Sequence, residues 1–373
     1  MPKMPGGAER SGPSWHPAGS ARHKNKHKRK GGIHMKKQFT RFLCAALGAA
    51  MLLALAGCGP KEGSGGDGDR TKVAFVSYMA VDQAEWLQNL DQGLKDYQSA
   101  HPELEIKLVE ATQTSEYEPK VRALADAGYD IIITSYDNMA AATVAVAKDF
   151  PDIKFGSMDG AIPDLENCKN IQEFGLSRTE TAYLAGVAAG MMTQTNKVGI
   201  VGGSDVGPIN EIIAGWQQGM RSVNPDIEDV VVYANTFTDP TKGKELGLAL
   251  IGKDCDIIGG AAGGTGVGAA QAAAEKSSYY VGWDVHYGDV VGDLELGSAV
   301  NFFDKMVIQF IEDAVGGKYT PGVRTIYGLK EGACDFEFLE GSKVSDEAKA
   351  AVEEARKAIT EGRVEISSEP IHK

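Results

Sequence analysis

Residues 257–284 constrain the fold of this chain more than any other stretch. An apolar pair, Ile257 and Ile258, meets a glycine-rich corner at residues 259–266, and an alanine-rich helical pattern leads to a second strand-like run, Tyr279–Trp283. This is a β-loop-α-β unit, in which ligand-binding groups lie where strands end and helices begin. We expect backbone N–H groups at Gly264, and the side chain of Asp284, to face a ligand.

Strand and helix patterns alternate through the rest of the chain from residue 72. The first series has strands at 72–78, 105–111, 129–135 and 153–158, with helices at 83–100, 115–127 and 139–149. The second has helices at 179–193, 210–223 and 241–252 and strands at 197–202, 230–236 and 256–259. The β-loop-α-β unit at residues 257–284 completes it. A strand at 297–301 and helices at 303–315 and 346–360 follow.

Two such series predict an α/β fold of two doubly wound, Rossmann-like lobes. We expect the first lobe at about residues 71–175 with a later segment near 284–320. The second lobe is expected at about 176–283 with the C-terminal region. A cleft between two lobes is a natural site for a small molecule.

The N-terminus has the pattern of a secreted lipoprotein. Residues 1–34 are basic and lack apolar periodicity, so we interpret them as a mis-called extension before a true start at Met35; the alternative is a disordered basic tail that binds nucleic acid. Residues 35–57 combine a charged start with an apolar core too short to span a membrane. That core ends at Leu55-Ala56-Gly57-Cys58, which resembles a lipobox with Cys58 as the lipid-modified residue; the alternative is a short anchor with an incidental cysteine.

Residues 58–70 are rich in glycine and predict a flexible tether to a folded part of roughly 300 residues. Removal of residues 1–57 takes away eleven basic and one acidic side chains, which lowers the formal net charge from −13 to −23. A surface this acidic argues against binding to nucleic acid or to an anionic membrane.

Cysteine and histidine are scarce in the mature part. Cys168, Cys255 and Cys334 are an odd number without a CxxC spacing, so we expect free or buried thiols, although one pair is an alternative. Only His101, His286 and His372 remain after residue 34, which leaves no metal-ligand cluster and no base for serine catalysis.

A dinucleotide site is the enzymatic alternative for the glycine corner. Residues 263–268 partly match the glycine fingerprint G-x-G-x-x-G of dinucleotide-binding proteins. Asp284 lies about where an acidic residue binds the ribose in such proteins. The unit is late in the chain, however, and a nicotinamide cofactor is not expected outside the cell membrane. We therefore expect no cofactor and no catalytic activity.

Aromatic and polar side chains recur at the ends of the predicted strands. Rings with a few carboxyl or amide groups suit a planar, hydroxyl-bearing ligand such as a nucleoside or a sugar. The candidate ligand-binding residues are Tyr78, Trp86, Tyr136, Asp137, Asp159, Phe237, Gly264, Asp284 and Asn301.

Several phrases resemble the basic membrane protein family of substrate-binding lipoproteins, whose best-known members are purine nucleoside receptors of ABC transporters. They are TAYLAGVAA at 181–189, KVGIVGG at 197–203, VNPDI at 223–227, FTDPTKGKE at 237–245 and AAGGTG at 261–266. The likeness extends from residue 71 to the C-terminus. It implies a type I periplasmic-binding-protein fold that closes on its ligand.

The resemblance also implies roles for individual residues. Family members hold the purine between two aromatic rings, and these positions correspond to Trp86 and Phe237. The strand-end acid that contacts ribose hydroxyls corresponds to Asp284. Tyr78 replaces the usual acid of the first strand, Leu87 replaces the Asn after the helix aromatic, and Asn301 replaces a Lys, so the family's polar readout of the ligand is altered here.

These observations predict a lipid-anchored, extracytoplasmic substrate-binding protein of an ABC importer, with a nucleoside or nucleobase-like ligand and with permease and ATPase subunits as partners. One alternative is a receptor of similar fold for a sugar or another small polar ligand. Another is a ligand-sensing subunit for a membrane signalling protein.

Overall fold

A computed structural model describes residues 70–373 of the chain. The predicted extension, signal segment, lipid-modified Cys58 and tether up to residue 69 lie outside the described residues. Within residues 70–373, every helix is too short or too polar to span a bilayer.

The strands alternate with helices along most of the described chain. The strands are β1 (Thr71–Ser77), β2 (Leu104–Glu110), β3 (Ile131–Ser135), β4 (Lys154–Met158), β5 (Ile171–Leu176), β6 (Lys197–Gly202), β7 (Glu228–Tyr233), β8 (Ile257–Ala261), β9 (Tyr279–Trp283), β10 (Glu295–Asn301), β11 (Arg324–Tyr327) and β12 (Cys334–Phe338).

The helices follow the same order. They are α1 (Glu85–Ala100), α2 (Thr114–Asp126), α3 (Ala140–Asp149), α4 (Arg178–Met192), α5 (Gly207–Val223), α6 (Pro240–Ile251), α7 (Gly264–Lys276), α8 (Gly288–Val291), α9 (Phe303–Val315) and α10 (Asp346–Thr360). Single turns of 3-10 helix lie at Val81–Gln83, Asp137–Met139, Leu165–Asn167 and Gly292–Leu294.

The strands form two six-stranded sheets, which confirms the predicted α/β fold of two lobes. The order in the first sheet is β11-β5-β4-β3-β1-β2, and in the second it is β12-β10-β9-β8-β6-β7. All pairings in the first sheet are parallel, and β12 is the only antiparallel strand of the second among the described residues. The unit at residues 257–284 is β8-α7-β9 in the centre of the second sheet.

The route of the chain between the lobes differs from the prediction in two respects. The C-terminal region was expected in the second lobe, but β11 pairs with β5 in the first sheet. Residues near 284–320 were all expected in the first lobe, but β10 pairs with β9 in the second sheet. The return to the first lobe comes at α9, whose Phe310 packs in the core beside Phe174 of β5. Strands β5, β11 and β12 were not predicted, because β5 interrupts its apolar run with Gln172 and Glu173 and the other two are short edge strands.

Both faces of each sheet are covered by helices. In β1, Val73 and Phe75 belong to one buried cluster, and Ala74 and Val76 belong to another on the opposite face. Because successive side chains of a strand point to opposite faces, this arrangement explains the nearly continuous apolar run of β1.

Three chain segments connect the lobes, after β5, after β10 and between β11 and β12. The segments bond to one another: Ser177 N donates to Tyr327 O at 2.9 Å, and Phe302 N donates to Ala333 O at 2.9 Å. Leu329 N also donates to the Glu180 carboxylate at 2.8 Å. These hydrogen bonds therefore join the connecting segments to one another at the junction of the lobes.

Helices α4 and α5 approach closely because glycine lies at their contact. A β-carbon at Gly219 would clash with the backbone of Tyr183. We expect Gly219→Ala to lower the free energy of unfolding by roughly 1–3 kcal/mol despite the better helix propensity of alanine. Urea denaturation measures the change, with Gly207→Ala in the same helix as the control, since a β-carbon there meets nothing within 4 Å. Equal stability of the two variants would contradict this account of the helix contact.

Candidate functional site

A cavity of about 380 Å³ lies between the two lobes. This volume falls in the range of small-molecule sites. The first lobe contributes lining residues from α1, α9 and the turn after β3, and the second contributes the turn after β9 and the end of β10. The lining residues are Glu85, Trp86, Asn89, Tyr136, Asp284, Val285, Asn301 and Phe303.

The amphipathic pattern of α1 determines which of its side chains reach the cavity. Leu87, Leu90 and Leu94 are buried in the core of the first lobe. With this face against the sheet, Trp86 and Asn89 lie together on the cavity side, since residues three apart share a helix face.

Aromatic rings form the first-lobe wall of the cavity. The Trp86 ring lies 5.1 Å from that of Phe303 with a tilt of 46°, and 5.8 Å from that of Tyr136 at 74°. Tyr78 does not line the cavity, but its ring packs edge-on against Tyr136 at 5.3 Å. Burial is the main cause that raises the pKa of the Tyr136 phenol, with a further contribution from the charge of Asp159, so this hydroxyl stays a neutral donor.

The polar residues at the strand ends share an unusual backbone conformation. Tyr136, Asp159 and Asp284 have φ values of 63°, 46° and 68°, directly after β3, β4 and β9. Such conformations are uncommon outside glycine and cluster at functional sites. Each residue donates its N–H to the neighbouring strand, at Met158 O, Phe174 O and Ala299 O respectively, over 2.7–2.8 Å. The sheet therefore holds each turn in place.

Asp284 and Asn301 form a hydrogen-bonded pair on the second-lobe wall. Asn301 Nδ2 donates to Asp284 Oδ1 at 2.7 Å. The Asp284 side chain is accessible to solvent in the cleft, yet protein atoms surround it closely enough that burial raises its pKa above the usual value. The hydrogen bond from Asn301 and the charge of Arg178 offset this effect in part.

Asp159 is paired with an arginine that the sequence analysis did not single out. Arg178 Nη2, at the first residue of α4, lies 2.9 Å from Asp159 Oδ2. The same guanidinium lies 3.8 Å from Glu211 of α5, and Arg324 of β11 lies 3.9 Å from Asp159. The Asp159 carboxylate is buried and belongs to this charge network at the lobe junction.

Three other predicted residues lie outside the lining of the cavity. Asp137 is exposed at the start of a 3-10 turn after β3. Phe237, which is 41% exposed, lies after β7 with its ring over Gly203. Gly264 begins α7 beside the carbonyl oxygen of Phe237. Phe237 and Gly264 thus share the carboxyl edge of the second sheet with Asp284.

Four lining residues were not predicted from the sequence, namely Glu85, Asn89, Val285 and Phe303. Helical periodicity from Trp86 was the available signal for Asn89, and adjacency to Asp284 was the signal for Val285. Leu87, which the resemblance aligns with a family Asn, is buried in the core and is not among the residues that line the cavity.

The described residues do not assemble a metal centre or a disulfide. Within residues 70–373, no group of three or more His, Cys, Asp and Glu is placed to hold a metal ion. Cys168, Cys255 and Cys334 are free thiols, and burial is the first cause that raises the pKa of each one.

Two doubly wound lobes around a cleft with aromatic and polar strand-end groups define a solute-binding protein of the type I class. Residues 70–369 match the family model described as "ABC transporter substrate-binding protein PnrA-like". The chain therefore belongs to this family, which confirms the resemblance drawn from the sequence.

Individual relatives agree with this assignment. The ABC transporter nucleoside-binding protein BmpA of Lactococcus lactis is 28% identical over 87% of this chain and 97% of its own. A purine-binding protein of Brucella abortus is 25% identical over 82% of this chain and 85% of its own. A protein of Haloferax volcanii named for glucose binding by an ABC transporter is 28% identical over 65% of this chain and 60% of its own.

Solved structures agree on the fold. An ABC transporter solute-binding protein from Conexibacter woesei superposes with a TM-score of 0.64 at 18% identity, over 80% of this chain and 99% of its own. At this identity the likeness supports the fold alone.

The raised pKa of Asp284 predicts how stability changes with pH. Its ordinary pKa is 3.8, and the folded ligand-free protein resists its ionisation. Stability is therefore lost as pH rises from below 3.8 through the higher folded value. We expect Asp284→Asn, which tolerates the same left-handed backbone, to raise the melting temperature at neutral pH but not at pH 3.

The matched control for this measurement is Asp254→Asn. Asp254 has a φ of 69° but precedes β8, at the opposite edge of the second sheet from the cleft. A melting-temperature difference for Asp284→Asn that does not grow between acidic and neutral pH, relative to this control, would contradict the assigned environment of Asp284.

Proposed function

We propose that this protein is the lipid-anchored, extracytoplasmic substrate-binding subunit of an ABC importer and that it binds a nucleoside or nucleobase-like ligand between its lobes. Family membership supports the transport role. The observation that carries the ligand assignment is the cavity itself, where Trp86 on one lobe faces the Asp284–Asn301 pair on the other.

The aromatic wall accounts for the base-like part of the ligand. Trp86 presents a large planar surface, and Phe303 and Tyr136 hold its ring from two sides. Rings fixed in this way lose little conformational entropy when a planar ligand stacks on them. Trp86 is thus the first stacking partner in the proposal.

The second lobe supplies the other contacts after closure. Phe237 exposes its ring at the carboxyl edge of the second sheet, outside the cavity of the present conformation. Closure of the lobes about the three connecting segments brings Phe237 onto the opposite face of the ligand in our proposal. Asp284 and Asn301 then accept and donate hydrogen bonds with ligand hydroxyl groups.

The remaining strand-end residues support these contacts. Tyr78 packs on Tyr136, which lines the cavity, and Asp159 holds Arg178 at the lobe junction, so in the proposal both act on the site indirectly. Gly264 and Asp137 lie at the cleft edge of their sheets, where the closed form brings backbone and carboxyl groups to the ligand in the proposal.

A sugar receptor is the second candidate. An aromatic ring beside an Asp–Asn pair also suits a pyranose, whose hydroxyls need paired donors and acceptors. The similarity to the Haloferax volcanii protein supports this alternative. A sensing role in place of import would involve the same cavity and differs only in the membrane partner.

A thermal-shift panel of nucleosides and sugars tests the ligand class. We expect purine nucleosides to raise the melting temperature in a concentration-dependent way and glucose or ribose to leave it unchanged, because only a ligand that binds the folded state stabilises it. A shift with a sugar and none with any nucleoside or nucleobase would overturn the ligand assignment.

Titration calorimetry with Trp86→Ala should then show affinity weaker by roughly 1–3 kcal/mol, by analogy with base–aromatic stacking.

Tyr97→Ala is the matched control for Trp86, since Tyr97 lies on α1 but its ring contacts that of His101 and is not among the residues that line the cavity. We expect it to bind with unchanged affinity. Equal affinities of the Trp86 and Tyr97 variants would remove Trp86 from the site.

Fractionation of cells tests the anchor. In Cys58→Ala the proposed acceptor of the lipid is gone, so we expect the protein to move from the membrane to the aqueous fraction. Cys168→Ala is the control, because Cys168 belongs to the folded lobes and its replacement leaves the anchor intact. A Cys58→Ala protein that still sediments with membranes would contradict lipidation at this residue.

A further inference from the structure

The charge of the cavity walls restricts the kind of ligand beyond the proposed function, on which this inference rests. Glu85 and Asp284 bring carboxylates to the lining, and Asn89 and Asn301 bring amides. No Lys or Arg is among the described residues that line the cavity. Within the described chain, no ion pair neutralises either carboxylate.

The nearest cation to these groups is already engaged. Arg178 acts electrostatically on Asp284, but its guanidinium is held by Asp159 and approached by Glu211. Asp159 and Glu211 together balance Arg178 and the adjacent Arg324. The charges of Glu85 and Asp284 are therefore not balanced by an ion pair within the described chain, and they are available to a cationic ligand.

A second cavity of about 350 Å³ adjoins the first and extends the same polarity. It shares Trp86 and Asn301 with the first cavity and adds the carboxylates of Asp96 and Asp304. Lys305 is not among the lining residues of this cavity. Its ammonium lies 3.8 Å from the centre of the Phe302 ring and is therefore already engaged in a cation–π contact. An extended ligand thus meets acidic groups along the whole groove.

The aromatic rings strengthen the same preference. Trp86, Tyr136 and Phe303 all line the cavity, and the Trp86 ring is inclined by 74° to that of Tyr136 and by 46° to that of Phe303. Ring faces attract cations through the quadrupole of the aromatic system, and tryptophan does so most strongly.

We propose that this cavity binds an aromatic heterocycle that carries a positive charge, in its unphosphorylated form, with Glu85 and Asp284 as counter-charges. The ring stacks on Trp86, and its charge lies near the two carboxylates. A phosphate group is disfavoured because it would add negative charge beside these carboxylates, and no Lys or Arg is among the described residues that line either cavity.

A matched pair of nucleosides isolates the charge. 1-Methyladenosine is a cation at neutral pH, and 1-methylinosine carries the same methyl group on a neutral ring. We expect titration calorimetry to show at least about tenfold tighter binding of 1-methyladenosine at low salt, a difference that shrinks as salt rises. Adenosine 5′-monophosphate should bind at least about tenfold more weakly than adenosine.

Variants assign the preference to a carboxylate. Glu85→Gln should reduce the preference for 1-methyladenosine over 1-methylinosine several-fold. Glu347→Gln removes the same group from the first turn of α10, outside the cavity, and should leave the preference unchanged. Asp284→Asn provides an independent second loss of charge if Glu85→Gln does not fold.

The outcomes separate this inference from the proposed function. Equal affinities of the two methylated nucleosides, or an unchanged preference in both cavity variants, would overturn the inference while nucleoside binding stands. Binding of adenosine 5′-monophosphate as tight as that of adenosine would overturn it also. Failure of every nucleoside and nucleobase, with binding of a sugar, would overturn the proposed function itself.

Discussion

The turns that end β3, β4 and β9 are the constraint on which the cleft depends. Tyr136, Asp159 and Asp284 leave their strands with positive φ, and each is held by a hydrogen bond from its N–H to the next strand. This conformation is costly outside glycine, so the surrounding sheet must over-determine it. Because these turns are attached to rigid strands, the ring of Tyr136 and the carboxyl group of Asp284 keep their positions in the cleft without a ligand.

Charge at the lobe junction follows from the same turns. Asp159 leaves β4 toward α4 and binds Arg178 directly after the first connecting segment, while Asp284 leaves β9 toward the cavity and pairs with the neutral Asn301. Asp159 is therefore paired within the protein, whereas Asp284 remains accessible in the cavity. The two residues occupy equivalent positions in their lobes, and their neighbours decide whether the carboxylate pairs with a cation or with a neutral amide.

Much of the fold was accessible from sequence because buried parallel strands leave continuous apolar runs, as in β1 and β3. Strand β5 was missed because its buried Gln172 and Glu173 resemble a loop, and their partners at Thr325 and Ile162 become visible only in three dimensions. Trp86, Tyr136, Asp284 and Asn301 were singled out from strand and helix ends and do line the cavity. Glu85, Phe303 and the pairing of Asp159 with Arg178 depend on how helices and strand ends pack in three dimensions, which a linear pattern does not encode.

The central claim is that the cleft binds an aromatic nitrogen heterocycle. The most direct measurement is mass spectrometry of the small molecule released on denaturation, after the protein has been incubated with a metabolite extract and passed through gel filtration. The account predicts an unphosphorylated nucleoside or nucleobase-like compound, enriched with wild-type protein and depleted with Trp86→Ala. Enrichment of a sugar or of a phosphorylated compound in its place would contradict it.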